Sequence, residues 1–176
     1  MGYPATPEYA LAQEMLGESP SPEADLPGLL HRYLEAFGPA TVQDFATWSG
    51  LTGVKRALAG ATGGLRTSED EHGRELLDVP DGALPAPETE APVRALPEYD
   101  NAILSHADRT RIVADEHRRA VFPGAGLVRA TFLVDGVVAG TWRAEKGGRA
   151  QVEAFGRLPR RIRTALDAEL ERLRDD

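Results

Sequence analysis

The chain of 176 residues contains no cysteine, which excludes disulfide bonds and thiolate metal sites. It also lacks any apolar run near the roughly 20 residues that a membrane-spanning helix requires. Residues 1–12 carry no basic side chain and no long apolar stretch, so we expect no signal peptide. These absences predict a cytoplasmic protein that does not associate with membranes.

Common catalytic and cofactor-binding motifs are missing as well. The sequence has neither a Walker-type phosphate loop nor a dinucleotide fingerprint, and no Gly-x-Ser-x-Gly nucleophile elbow. The spacing of its histidines does not match a metal site; they are His31, His72, His106 and His117. We therefore predict no metal site and no cofactor.

Acidic residues outnumber basic ones, and the net charge of −8 has the wrong sign for a simple nucleic-acid coat. Residues 1–100 hold 6 Lys+Arg against 17 Asp+Glu, whereas residues 101–176 hold 14 against 11. One interpretation is a solvated acidic surface. The other is that DNA, if bound, meets a local basic face of the molecule.

Residues 26–80 have the pattern of a winged helix. An apolar stripe at helical spacing, which includes Leu30 and Leu34, follows a capping residue at Asp25. Thr41 and Asp44 have the spacing of a capping box, and we expect Thr52 to cap a third helix. Residues 65–67 and 75–79 are predicted strands around a polar turn, so a wing follows a helix-turn-helix.

The flanking regions are predicted to be separate units. Residues 1–25 should hold a short helix that begins after Thr6, followed by a proline-containing linker. Residues 81–92 are a second linker, rich in Pro, Glu and Gly. Residues 93–176 are predicted to form a β-rich α+β domain, with a hairpin at Asp135-Gly136 and an amphipathic helix over residues 158–173.

Four basic residues of the predicted winged helix are candidates for DNA contact. Lys55 and Arg56 on the third helix would enter the major groove, while Arg66 and Arg74 on the wing would touch phosphate. Each could instead be a solvated surface charge. Acidic residues at the wing tip would repel phosphate; they are Glu69, Asp70 and Glu71.

Two further polar clusters each allow two interpretations. Within ten residues lie the groups of a possible polar site: Asp100, Asn101, His106, Asp108 and Arg109. They could also cap a helix and hold a loop by ion pairs, whereas an enzyme built on them would need a pocket and a strongly shifted pKa. A basic patch begins the last helix and consists of Arg157, Arg160, Arg161 and Arg163. It could be part of a mixed helical face that continues into Asp167, Glu169 and Glu171, or it could bind a partner, since the helix dipole does not favour cations at this end.

Several separated motifs resemble the bacterial "winged helix DNA-binding domain-containing" family. They occur in the family's order and cover about residues 9–173. The matching segments are residues 32–41 (RYLEAFGPAT), 48–51 (WSGL), 96–101 (LPEYDN), 106–109 (HADR), 133–136 (LVDG) and 140–143 (GTWR).

This resemblance implies a function in DNA repair. The family includes DNA glycosylases that unhook interstrand crosslinks and remove alkylated purines, with tandem winged helices around a β-barrel. The chain is similar to their C-terminal half, so a barrel-like β region is expected. Their Gln-x-Gln or Gln-x-Asp motif is not matched at Gln13, Gln43 or Gln151, so no catalytic residue carries over.

The resemblance therefore implies a DNA-associated module that is non-catalytic by itself. Its expected partner is double-stranded DNA, together with a homo-oligomer or a partner that supplies an N-terminal half. The alternative from another class is a protein-interaction or structural module without a nucleic-acid role, which the net charge of −8 favours.

Overall fold

A computed structural model describes residues 9–19, 23–145 and 150–175 of the chain. Its helices and antiparallel strands confirm the predicted α+β class. In chain order the elements are α1 (Ala12–Leu16), α2 (Leu26–Phe37), α3 (Val42–Ser49), α4 (Val54–Ala57), β1 (Arg66–Glu69), β2 (Glu75–Asp78), β3 (Arg94–Leu96), α5 (Asn101–Leu104), a 3-10 turn (Asp115–His117), α6 (Arg118–Val121), β4 (Thr131–Val134), β5 (Val137–Ala144), β6 (Ala150–Ala154) and α7 (Arg160–Asp175).

The N-terminal predictions are only partly covered by these residues. The expected helix start at Thr6 lies outside them, and the described helix α1 has five residues, none of them buried. Part of the first predicted linker, residues 20–22, also lies outside the described residues. No helix in the described part of the chain is both long and apolar enough to cross a membrane.

Helix α2 forms where the apolar stripe predicted it. Asp25 accepts a hydrogen bond from the backbone N–H of Gly28 at 2.8 Å, which caps the first turn. Leu30, Tyr33 and Leu34 are buried on one face. Spacings of three and four residues place side chains on the same side of a helix, so this face packs against the core. The predicted cap and stripe are both confirmed.

Helices α3 and α4 begin in different ways. The Thr41–Asp44 capping box is confirmed: Thr41 Oγ1 accepts from Asp44 N–H at 3.0 Å, and Asp44 Oδ2 accepts from Thr41 N–H at 2.8 Å. The predicted Thr52 cap is wrong. Gly53, with φ 71°, occupies the N-cap position of α4 instead. Because glycine has no side chain, no cap bond forms, and α4 extends over only four residues.

Strands β1 and β2 form an antiparallel hairpin that is fastened to the segment between α2 and α3. Ala40 and Leu77 exchange two backbone hydrogen bonds of 2.9 and 2.8 Å. Both residues are buried. The hairpin therefore closes one side of a core whose centre is a cluster of four rings with centroids 5.1–6.2 Å apart, namely Tyr33, Phe37, Phe45 and Trp48.

The second sheet has four antiparallel strands in the order β3-β4-β5-β6. The Asp135-Gly136 hairpin is confirmed, and both turn residues have positive φ (51° and 76°), as a type I′ turn requires. Strands β3 and β6 are the two edges of this sheet and do not pair with each other. The barrel-like closure expected from the resemblance is therefore wrong for the described residues, where the sheet is open.

Side-chain contacts lock the strands of this sheet together. The indole N–H of Trp142 in β5 donates to the carbonyl oxygens of Leu96 and Thr131, at 2.9 and 3.1 Å, and so bridges β3 and β4. A Cβ on Gly140 would lie 2.4 Å from the Glu153 carbonyl oxygen and 2.4 Å from the ring of Phe132. This position therefore requires glycine, because the Phe132 ring fills the space.

Helix α7 covers one face of the second sheet, as its predicted apolar face requires. Leu166 is buried against Phe132 and Ala95 in one cluster. Partly buried side chains of the same helix join this cluster: Ile162, Leu170 and Leu173. Glu169 of α7 pairs with Arg94 of β3 at 3.0 Å. A further apolar cluster around Ile103, Val121 and Val138 lies against other parts of the sheet.

A buried hydrogen bond joins the aromatic core to the loop after α5. The hydroxyl of Tyr33 donates to the carbonyl oxygen of Ser105 at 2.7 Å, across 72 positions of sequence. Burial and then the nearby Asp44 carboxylate raise the pKa of Tyr33 above its usual range. The hydroxyl therefore stays protonated and remains a donor.

Replacing Tyr33 with phenylalanine should lower the free energy of unfolding by about 1–3 kcal/mol. The change removes one hydrogen bond and leaves the Ser105 carbonyl oxygen without its donor, while the ring packing is kept. Urea denaturation would measure the difference. Tyr9→Phe is the matched control, since Tyr9 is 90% exposed. Equal stability losses in the two variants would contradict this role of the Tyr33 hydroxyl.

Candidate nucleic-acid interface and adjoining polar pocket

An open groove of about 1010 Å³ runs along α3, α4 and the start of β2. Gln43 lines it from α3, Lys55 and Arg56 line it from α4, and Glu75 lies at its other side. Both basic side chains of α4 are exposed. Among the described residues, no carboxylate lies within ion-pair distance of Lys55 or Arg56. The two cations are therefore open to an external anion.

The two predicted wing arginines are placed differently, because each has an ion pair within the protein. Arg66 pairs with Asp78, whose side chain is nearly fully buried. Arg74 donates from Nε to Asp70 at 2.5 Å and lies 3.3 Å from the carboxylate of Asp108 through Nη2. Of the four candidates, Arg66 and Arg74 thus form ion pairs at the hairpin, whereas Lys55 and Arg56 have none within the described part of the chain.

The predicted polar cluster also divides in two. Asp100 accepts a hydrogen bond from the N–H of Ala102 at 2.8 Å and caps α5, which confirms the structural interpretation for that residue. Asn101 is the exposed first residue of the same helix. His106, Asp108 and Arg109 instead come together at the wall of a pocket. The cluster is therefore one capping group plus three pocket residues.

This pocket, of about 270 Å³, lies between the β1–β2 turn and the chain after α5. Its lining contains nearly balanced charges. The acidic members are Asp44, Asp70, Glu71 and Asp108, and the basic members are Arg74, Arg109 and Arg111, with His106 beside them. The sequence interpretation missed Asp44 and Arg111 as pocket residues, because only the folded chain brings them next to residues 106–109.

The carboxylate of Asp70 organises the β1–β2 turn. One oxygen accepts hydrogen bonds from the backbone N–H groups of His72 and Arg74 at 2.8 and 2.9 Å, and the other accepts from the Arg74 guanidinium. Burial by itself acts to raise the pKa of Asp70, but these hydrogen bonds outweigh it and lower the pKa to about 2. Asp70 is therefore a very weak base.

Neighbouring carboxylates are also stabilised in their charged form. Hydrogen bonds from the hydroxyl and the backbone N–H of Thr110, with a smaller contribution from Arg74, lower the pKa of Asp108. The backbone of Glu71 and the guanidinium of Arg111, which forms an ion pair with it, lower the pKa of Glu71. In the β1–β2 turn, Asp70 is thus paired with Arg74 and Glu71 with Arg111.

Asp44 connects the capping box of α3 to the pocket wall. Its Oδ2 accepts from the N–H and the hydroxyl of Thr41, at 2.8 and 2.7 Å. Its Oδ1 accepts from the backbone N–H of Ala107 at 2.8 Å. Asp44 is 7% exposed, so both oxygens of a buried carboxylate are occupied by donors of the protein itself.

Arg109 has the least satisfied side chain of the pocket. Its guanidinium lies over the ring of Phe122 with 5.1 Å to the centroid, and Arg118 lies over the same ring at 5.8 Å. The Nε of Arg109 is buried and has no hydrogen-bond partner among the described residues. Burial and then the charge of Arg118 lower the pKa of Arg109.

Neither surface resembles a metal centre. Among residues 9–19, 23–145 and 150–175, no three His, Asp or Glu side chains converge as metal ligands would. The pocket carboxylates accept hydrogen bonds from protein donors, as at Asp44, which accepts from the Ala107 N–H, and at Asp70, which accepts from the Arg74 guanidinium.

Comparison with known proteins identifies relatives for nearly the whole chain. The family model described as "DNA glycosylase AlkZ-like" matches residues 1–175. A curated protein of Streptomyces sahachiroi, "Interstrand DNA cross-link repair glycosylase", is 32% identical in an alignment of 133 positions that covers 72% of this chain and 36% of that protein. The solved structure of Streptomyces sahachiroi DNA glycosylase AlkZ aligns with a TM-score of 0.72 and 27% identity, over 90% of this chain and 45% of that one. The chain thus spans less than half the length of these relatives.

Changing Asp70 to asparagine should remove a pH-dependent part of the stability. Because the folded pKa of Asp70 is lowered to about 2, the charged form stabilises the fold above the ordinary carboxyl pKa. This contribution is lost as the pH falls from about 4 towards 2. The difference in unfolding free energy between wild type and variant should therefore be constant above about pH 5 and shrink below pH 4. Denaturation curves at a series of pH values would measure it, and a difference that stays constant down to pH 2 would refute the role of Asp70.

Proposed function

This chain belongs to the AlkZ-like DNA glycosylase family, and we propose that within such a protein it is a DNA-binding module without catalytic activity of its own. The observation that carries this proposal is the family match over residues 1–175. The exposed cations of α4 supply the surface for DNA, and the missing glutamine motif argues against base excision. A cytoplasmic location, where repair of bacterial DNA takes place, is part of the same proposal.

We propose that residues 26–80 are a winged helix. The order of elements is helix α2, the bridge at Ala40, helices α3 and α4, and then the β1–β2 hairpin. Gly50, with φ 69°, ends α3 and begins the tight turn towards α4, which suits a helix-turn-helix. In this assignment α4 is the recognition helix, and the β1–β2 turn is the wing.

The chain is further proposed to divide into an N-terminal segment (1–25), the winged helix (26–80) and a second domain (93–176). The composition of the cores supports this division. One apolar cluster draws all its members from residues 26–79, and the other two draw theirs from residues 93–173. The exposed segment over residues 81–92 contributes to none of them. Polar contacts join the two units, among them the Tyr33–Ser105 bond and the hydrogen bond between Asp44 and Ala107.

Duplex DNA is the proposed partner of the α4 surface. Lys55 and Arg56 project from a short helix that forms one wall of an open groove. The wing-tip carboxylates Asp70 and Glu71 are paired with Arg74 and Arg111, so their repulsion of a phosphate backbone is reduced. A helix in the major groove with basic side chains on its surface is the common docking arrangement of such modules.

We propose that the pocket is not the site of an enzyme built on residues 100–109, although it is concave and the pKa values of several of its carboxyls are shifted. A general base for water should have a pKa near the working pH. The pKa shifts resolved for pocket carboxyls are all downward, with Asp70 at about 2. Both oxygens of Asp44 are occupied. These groups are suited to holding the two units together.

An interaction with a further polypeptide is a second proposal, favoured by two observations. The chain spans 36% and 45% of the two relatives' lengths. Helix α1 and the residues before it expose Tyr9, Leu11, Met15 and Leu16. A partner that supplies the N-terminal half, or a second copy of the chain, would cover such side chains. A protein-interaction module without DNA binding is the alternative that the net charge of −8 favours.

Reversing both α4 charges, Lys55→Glu with Arg56→Glu, should weaken binding to labelled duplex DNA by about tenfold or more at moderate salt, because two phosphate contacts become repulsive. Fluorescence anisotropy with plain and alkylated duplexes would measure this. The matched control is Arg32→Glu with Arg119→Glu, which changes the net charge equally at exposed positions on α2 and α6. The control should bind DNA more tightly than the α4 variant.

The outcomes distinguish the candidate functions. Salt-sensitive binding that is lost specifically in the α4 variant supports the DNA-binding module. No binding by the wild type at micromolar concentration would refute it and favour the interaction module. Release of an alkylated base by the wild-type chain alone would refute the non-catalytic part of the proposal.

A further inference from the structure

Four arginines surround the start of α7, and no acidic residue lies among them in the sequence. Arg157 precedes the helix, and Arg160, Arg161 and Arg163 lie in its first turn; all four are exposed. Arg161 has the only ion pair found for this group among the described residues, 3.7 Å from Glu90, with both side chains largely in solvent. Such a pair is worth little. This end of α7 is therefore a concentrated and nearly uncompensated positive surface.

The fold gives no reason for placing these cations there. The N-terminal end of a helix carries the positive end of its dipole, so arginines are unfavourable at that position and favourable at the other end. Arg172 and Arg174 occupy the favourable end of α7. The helix is held on the sheet by Leu166 and by the Glu169–Arg94 pair, neither of which involves the four arginines.

A groove of about 390 Å³ separates the start of α7 from edge strand β6. Arg157 and Arg163 line it, together with Gly156, which adds no side-chain bulk. Asp167 lines it as well, yet within the described residues no ion pair joins Asp167 to Arg163. Two arginines in the lining of an open groove suit a phosphodiester, because the planar donors of a guanidinium group match phosphate oxygens.

We propose that the arginines at the start of α7 form a second contact for the phosphate backbone of duplex DNA, separate from the α4 surface. This inference rests on the proposed DNA-binding function. Phosphate contacts of this kind carry no sequence information, so the α7 surface would add affinity and fix the orientation of the protein on the duplex. It would also explain why the second half of an acidic chain carries a net positive charge.

The test compares two variants that remove the same charge from opposite ends of one helix. Arg160→Gln with Arg163→Gln changes the proposed surface, and Arg172→Gln with Arg174→Gln is the control. Each phosphate contact contributes about −0.9 to the slope of log K against log[salt], so losing two should reduce the affinity drop between 50 and 200 mM salt by about tenfold. The control should keep the wild-type slope. Thermal unfolding should show the first variant as stable as wild type or more so, because unfavourable charges leave the helix start.

Each result bears on the proposal in a defined way. Reduced affinity and a shallower slope in the first variant alone, with its stability kept, would support it. Identical salt slopes in both variants would overturn it. If the wild type binds DNA and responds to the α4 reversals but not to the α7 changes, only this inference fails. If the wild type does not bind duplex DNA, the proposed function fails together with it.

Discussion

The buried carboxylate of Asp44 fixes how the aromatic core and the polar pocket are arranged. One oxygen completes the capping box of α3, and the other accepts the N–H of Ala107, 63 positions further along the chain. A buried carboxylate without such donors would cost free energy, so the first turn of α3 and the loop that contains Ala107 stay in contact. The Tyr33–Ser105 bond lies beside it and makes the same connection. His106, Asp108 and Arg109 owe their position at the pocket wall to these two contacts.

The carboxylates of the pocket are paired within the protein, whereas the cations of α4 and of the start of α7 are exposed to solvent. The carboxylates of the β1–β2 turn and the pocket are held by backbone N–H groups or by Arg74 and Arg111, and this lowers the pKa of Asp70, Glu71 and Asp108. The negative charge of these three residues is therefore satisfied internally. The cations of α4, and three of the four arginines around the start of α7, have no acidic partner among the described residues. The net charge of −8 is consequently a poor guide to the surfaces that a polyanion would meet.

The sequence is enough to predict those parts of the fold that depend on residues only a few positions apart along the chain. The Asp25 cap, the Thr41–Asp44 capping box and the Asp135-Gly136 hairpin each follow from residue types within four positions of one another, so they can be recognised without knowing the rest of the fold. The cap of α4 could not, because the positive φ of Gly53 moved the helix start by one residue. Barrel closure depends on whether two distant edges meet, which no local pattern encodes. Similarly, residues 106–109 indicated a polar site, but Asp44 and Arg111 became part of it only through long-range folding.

The proposal that this chain binds DNA without removing a base rests on the contacts that its polar side chains make. A site that excises a base must keep a water-activating group free, within reach of a base that has left the stack. In the pocket, Asp70 is a weak base and both oxygens of Asp44 accept from protein donors, so these two carboxylates are engaged in holding the fold. The exposed cations, by contrast, lie on helices that are anchored by buried side chains: Val54 in α4 and Leu166 in α7. Exposed cations on anchored helices, together with carboxylates that bind donors within the protein, support the proposal of a DNA-binding module.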